Sequence, residues 1–294
     1  MKPVPHPSSV SRQTFVARTR EWLLLSAACR AVHAHNRDGR RYTGLAMLRA
    51  RPTAVIVMVL IGLASVFAQK PAIPDFNPEN IPTTPAPVTK LGPGLFRIGE
   101  ITVDTTKQEA SVPGTVNAVQ TLEFVANTLG GIKAYESALT VNTNAVTFNA
   151  AMLMIGLDKE HARVPTQHFD PVPPKGDRVA LWIDWTRGHE NVRTPVEHLL
   201  FDSQSRETLS SSEWVYTGSV FIERGWSPKA TRYLADLDGV LIGFVHSPAP
   251  IIENVGGVGV GRYGRIVLNP NLGLEPDTRV ILTVKALGSA PKPH

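Results

Sequence analysis

Asp177-Arg178-Val179-Ala180-Leu181-Trp182-Ile183-Asp184-Trp185 places Val179, Leu181, Ile183 and Trp185 at every second position, with more polar partners between them. A period of two marks a strand with one buried face. Trp182 and Trp185 are an odd number of residues apart, so within one strand they point to opposite sides. One belongs to the core; the other is exposed or covered by a second layer.

Similar stretches lie on both sides. Phe96, Ile98, Ile101 and Val103 open a domain near Leu95, and strands are expected at 108–112, 120–129, 132–140, 213–222, 232–235, 240–247 and 279–286. Gly130-Gly131 falls between two β-prone runs, the pattern of a hairpin. One segment departs from this pattern. Asn144 is a good helix cap, and Val146, Ala150, Leu153, Met154 and Leu157 recur at helical spacing, with Gly156 near the end. A helical turn is expected at 197–204. No internal repeat is visible. The expected fold is α+β: a β-rich single domain with mostly antiparallel strands and one main helix at about 144–157.

Net charge depends on position. The 294 residues carry +5 overall, but the first 68 carry +8 and the only cysteine, Cys29, so the remainder carries −3. A nucleic-acid partner therefore loses its electrostatic support. Arg49 and Arg51 precede an unbroken apolar run, 54–68, that ends Val66-Phe67-Ala68. A short basic region, an apolar core and a small-x-small exit form a secretory signal peptide. The run is shorter than the roughly 20 residues a membrane span needs. Met47 is the expected start, with 1–46 an upstream extension and 47–68 a signal peptide or an uncleaved signal-anchor. Residues 69–94 hold seven prolines and read as a linker, ahead of a domain at 95–287 and a tail at 288–294. The expected location is extracytoplasmic, periplasmic or secreted, with membrane contact only through an uncleaved anchor.

Several motifs resemble catalytic ones without completing them. Asp236-Leu237-Asp238-Gly239-Val240-Leu241 looks like the opening motif of haloacid-dehalogenase-type phosphatases, but too little chain follows to supply the partner residues. Asp238-Gly239 reads instead as a hairpin turn. The glycine run 256–264 lacks the following helix of a dinucleotide site and the Gly-Lys-Ser/Thr of a P-loop, and reads as a surface loop. His189-Glu190-Asn191-Val192-Arg193 has Arg where a zinc-protease motif needs its second His. His161, His168, His198 and His246 are scattered and read as exposed or core-satisfied.

Four segments carry a family resemblance. They are Phe96-Arg97-Ile98-Gly99-Glu100-Ile101-Thr102-Val103-Asp104, Gly130-Gly131-Ile132-Lys133-Ala134-Tyr135-Glu136-Ser137-Ala138-Leu139, Asn149-Ala150-Ala151-Met152-Leu153-Met154-Ile155-Gly156-Leu157 and Trp214-Val215-Tyr216-Thr217-Gly218-Ser219. Together, over about 95–287, they resemble the YdjY-like domain family of exported bacterial proteins. In that family a His often precedes the Glu-Ser pair; here the position is Tyr135. Some relatives are described as ferredoxin-like, which a mature chain without cysteine does not support. The resemblance brings no catalytic residue.

These observations point to a non-enzymatic binding or structural module for a protein, peptide or glycan ligand, contacted through Tyr135, Glu136, Ser137, Trp214 and Tyr216. No catalytic residue, metal ligand or cofactor is assigned. The alternative is a hydrolase or metal-assisted enzyme assembling Glu136 and Ser137 with His168, His189 or His198.

Overall fold

In the computed structural model the described residues are 81–209, 213–223 and 231–288, so the expected extension (1–46), signal segment (47–68) and nearly all of the tail lie outside them. The first strands are β1 (Val88–Gly92), β2 (Leu95–Ile98), β3 (Ile101–Asp104), β4 (Glu109–Val116), β5 (Phe124–Thr128) and β6 (Ser137–Val141). Helix α1 (Ala145–Met154) follows, then β7 (Asp177–Arg187), β8 (Glu190–Pro195), β9 (Leu200–Asp202), β10 (Glu207–Thr208), β11 (Trp214–Tyr216), β12 (Phe221–Glu223) and β13 (Thr231–Tyr233). A short helix α2 (Leu234–Asp238) leads to β14 (Val240–Gly243), β15 (Ile252–Asn254), β16 (Ile266–Leu268) and β17 (Arg279–Ala286). β1 takes residues 88–92 from the expected linker into the fold. Among the described residues it pairs only with β2, a position compatible with a Pro-rich approach.

The β-rich expectation holds, and the sheet closes on itself. Strands β4-β17-β7-β11-β15-β14-β5-β6 form an eight-stranded barrel, sealed where β6 pairs back onto β4. Most neighbours are antiparallel; β5–β6 and β14–β15 are parallel. The glycine pair at 130–131 therefore does not make a hairpin. Residues 129–136 instead carry the chain back along β5, so that β6 starts beside its beginning. Gly131 serves close packing: a Cβ on Gly239 would lie 2.5 Å from the Gly131 Cα. Asp238-Gly239 is likewise not a hairpin turn. Asp238 ends α2, and Gly239 is its left-handed C-cap at φ 68°.

Closure rests on β4. Its first half pairs with β3 and its second half with β6 on the same edge, while β17 runs along the other. Pro113 sits at the changeover, where its missing N–H leaves no gap in a ladder, and its carbonyl accepts the Asn142 amide at 2.9 Å. At Gly114 a side chain would strike the Thr140 carbonyl at 2.5 Å, so only glycine permits the seam.

Eight strands enclose a space that side chains just fill. Val112, Leu139, Ile183, Ile252 and Leu282 are among the buried residues that fill it. Trp185 belongs to this core. Trp182 is half-buried on the outer face, with the Arg193 guanidinium 5.0 Å from its ring. At the Tyr216 end of β11, α1 packs Phe148, Ala151, Met152 and Ile155 against the core, and Tyr216 Oη donates to Asn149 Oδ1 at 2.7 Å. At the Trp214 end, the indole N–H reaches Glu197 at 3.3 Å in the turn before β9, the middle strand of a three-stranded sheet.

Asn144 caps α1 as expected, its side chain accepting the Thr147 amide at 2.8 Å. A second cap comes from far along the chain. Asp236 accepts the Ala145 and Val146 amides at 2.6 and 3.1 Å, while burial pushes its carboxyl up to about 6 against those bonds. Asp236→Ala is expected to lower stability by about 1–2 kcal/mol in urea unfolding, because two helix-end donors lose their acceptor.

Candidate binding rim

The residues picked from the sequence divide by burial. Trp214 and Tyr216 are 3% and 1% exposed and belong to the packed interior, where burial pushes the Tyr216 hydroxyl up to about 12. They shape the barrel wall, and Trp214 also lines a groove beside Trp182, Glu197 and Glu213. Ser137 is fully buried, its hydroxyl donating to the Lys133 carbonyl at 2.8 Å, so it is committed to the turn before β6.

Tyr135 and Glu136 stay together at the mouth of β5 and β6. Tyr135 is 58% exposed. Glu136 is nearly buried and pairs with Lys133 at 2.6 Å. The Lys133 ammonium also stands 5.5 Å from the Tyr135 ring centroid and 6.0 Å from that of Phe124. Burial disfavours this ammonium, but its bond and charge attraction to Glu136 outweigh that and hold it above the ordinary lysine value. The two strands are parallel neighbours here, so the Glu123 amide donates to the Glu136 carbonyl at 2.9 Å. The Glu123 carboxylate in turn pairs with His168 Nε2 at 3.2 Å.

From His168 the contacts continue through aromatic rings. Phe169 meets His168 edge-on at 4.2 Å between centroids and Tyr263 at 5.9 Å, and Tyr263 is 62% exposed. The result is a row, Tyr263, Phe169, His168, Glu123, Glu136, Lys133, Tyr135, whose two halves join through the backbone bond between Glu123 and Glu136. Two exposed phenols end it, and two carboxylates lie between, one paired to the Lys133 ammonium and one to the His168 imidazole. Asp170 anchors the loop that carries His168 and Phe169. The Thr166 and Val172 amides, then Arg163, hold its carboxyl well below the usual range.

Sequence reading found Tyr135, Glu136 and His168 but missed Lys133, which pairs with Glu136 three residues on, and Glu123, Phe169 and Tyr263, which join the row only through the fold. The other two histidines do not join them. His189 is exposed in the turn between β7 and β8, and His198 bonds Thr194 at 3.0 Å. Among the described residues no three His, Cys, Asp or Glu converge in a metal-holding group. Two further grooves, of about 670 and 570 Å³, flank the outer face of β7, one lined by Asp184, Asn191 and Arg279 and the other by Trp182, Glu197 and Glu213.

Lys133→Met is expected to destabilise the protein by about 1–3 kcal/mol, because it leaves the Glu136 carboxylate enclosed without its cation. Adding Glu136→Gln restores part of that loss, and a double-mutant cycle in urea unfolding measures the coupling.

No curated protein and no solved structure matches the chain. The family model of the YdjY domain matches residues 101–256, which span β3 to just beyond β15 and so take in every barrel strand except β17. By that match the chain belongs to the YdjY domain family.

Proposed function

We propose that the chain is a non-enzymatic binding module working outside the cytoplasm, which recognises a protein, peptide or glycan ligand along the row from Tyr263 to Tyr135. The observation that carries this reading is the row itself. Exposed aromatic rings at both ends offer stacking area, and the paired carboxylates between them offer oriented acceptors at fixed positions. The barrel interior is occupied by side chains, so recognition falls to the loops at its rim. The charge of −3 beyond residue 68 speaks against a nucleic-acid ligand. The basic, apolar and small-residue order of 49–68 speaks for export.

Two measurements test this. Screening the protein against immobilised oligosaccharides and a displayed peptide library is expected to yield a ligand whose affinity falls about tenfold or more in Tyr135→Ala and in Tyr263→Ala. Thermal stability should be unchanged. A ligand indifferent to both substitutions sinks the rim as the binding surface. Mass spectrometry of the secreted product expressed from Met47 is expected to find Gln69 at its N-terminus; retention of residues 47–68 would show a signal-anchor instead.

A further inference from the structure

Three loops meet at the side chain of His246. It lies in the connector between the parallel strands β14 and β15, 8% exposed and with a left-handed backbone at φ 55°. Its Nδ1 is 3.0 Å from the carbonyl oxygen of Asp170, in the loop before β7. Its Nε2 is 3.0 Å from the carbonyl oxygen of Asn254, where the glycine-rich loop begins. Further bonds tie the same loops. The Asp170 amide donates to the His246 carbonyl at 3.2 Å, and the Val258 amide donates to the Phe244 carbonyl at 2.7 Å. Gly257 lies directly over the ring, where a Cβ would come within 2.3 Å of Nε2, so this position requires glycine.

A neutral imidazole has one N–H and one lone pair. Facing a carbonyl oxygen at each nitrogen, it donates to one and sets its lone pair against the other. Only the doubly protonated ring donates to both. We propose that His246 is a proton-operated clasp: protonated, it fastens the loop 163–172 and the end of β15, from which the glycine-rich loop 255–264 leaves, to the β14–β15 connector, and on losing its proton it frees one of them.

The charged groups around it agree with this. The Asp170 carboxylate is turned to Arg163, Thr166 and Val172, so this loop offers the ring only its carbonyl. From β15, fully buried Glu253 accepts the Ser247 amide at 2.9 Å through Oε1, while its Oε2 has no hydrogen-bond partner. Burial pushes the Glu253 carboxyl up from 4.5 to about 8, against the bonds it accepts from the backbone amides of Ser247, His246 and Asn254. Folding therefore retains a proton that the unfolded chain has given up, so this group's stabilising contribution falls as pH rises from about 4.5 to about 8.

The loop 163–172 carries His168 and Phe169, and the loop that leaves Asn254 carries Tyr263, so the clasp bears on three of the seven residues of the row proposed as the binding surface, and its test needs no ligand. Isotope labelling of histidine in the full chain, with the His246 signal identified by its loss in His246→Gln, follows protonation of both ring nitrogens by NMR. Amide exchange at Asp170 and Val258, corrected for its intrinsic base catalysis, follows opening of the two loops. The expected result is that at least one loop opens about tenfold more often across the ring's own titration. The same is expected in Glu253→Gln, whereas in His246→Gln the pH dependence is gone. A closed state with a singly protonated ring overturns the proposal. So does loop opening unchanged across the ring's titration, or a pH-dependent opening abolished by Glu253→Gln. If His246→Gln fails to fold, comparison of ring and amide titrations in Glu253→Gln still decides.

Discussion

The seam between β4 and β6 is the constraint on which the molecule depends. One edge of β4 serves β3 and then β6, while the other edge pairs with β17 throughout. A strand can change partner along one edge only if the changeover leaves no donor stranded and the second partner approaches closely. Pro113 meets the first condition by having no N–H, and Gly114 meets the second by having no side chain. With the seam made, the sheet has no open edge across the barrel and its inner face becomes a filled core. With the interior filled, the exposed side chains lie on the loops and the outer wall.

The two parallel pairs set the character of those loops. Each connector, 129–136 and 244–251, must travel back along the length of a strand within a few residues. Such short crossovers pass close to the barrel wall and bury polar groups that need partners. In the first, Lys133 pairs with Glu136 and Ser137 returns its hydroxyl to the Lys133 carbonyl. In the second, Glu253 accepts the Ser247 amide beneath the loop, and His246 lies against the carbonyls of Asp170 in the loop before β7 and of Asn254 at the end of β15. Lys133, Glu136 and His246 thus occur where topology forces backbone to run tightly over a finished sheet.

Much of the fold was legible because it follows from local rules. The alternation of 177–185 marked β7 and assigned its tryptophans to opposite faces; Asn144 capped the helix it was expected to start; residues 279–286 formed one strand as expected. His246 had been read as exposed or core-satisfied, and it is satisfied within the fold. The errors came where local signals are ambiguous. A glycine pair between two β-prone runs and an Asp-Gly after an apolar run both suit a hairpin, yet the first lies in a parallel crossover and the second ends a helix. The rim was half legible. Tyr135, Glu136 and His168 stood out by residue type, but no pattern in the chain links Glu123 to His168 or Phe169 to Tyr263.

From the sequence alone come the alternation and capping that make a β-rich chain with one main helix, the split of charge at residue 68, and the segments that mark the YdjY family. These depend on neighbours a few residues apart, whose geometry the backbone dictates. Only the tertiary structure decided that the sheet closes, that two strand pairs run parallel, that Asp236 caps a helix begun at Ala145, and that seven residues from four separate segments line up in one row. Those outcomes depend on which distant strands share hydrogen bonds, and residues such as glycine and aspartate are compatible with several local conformations until that pairing is made.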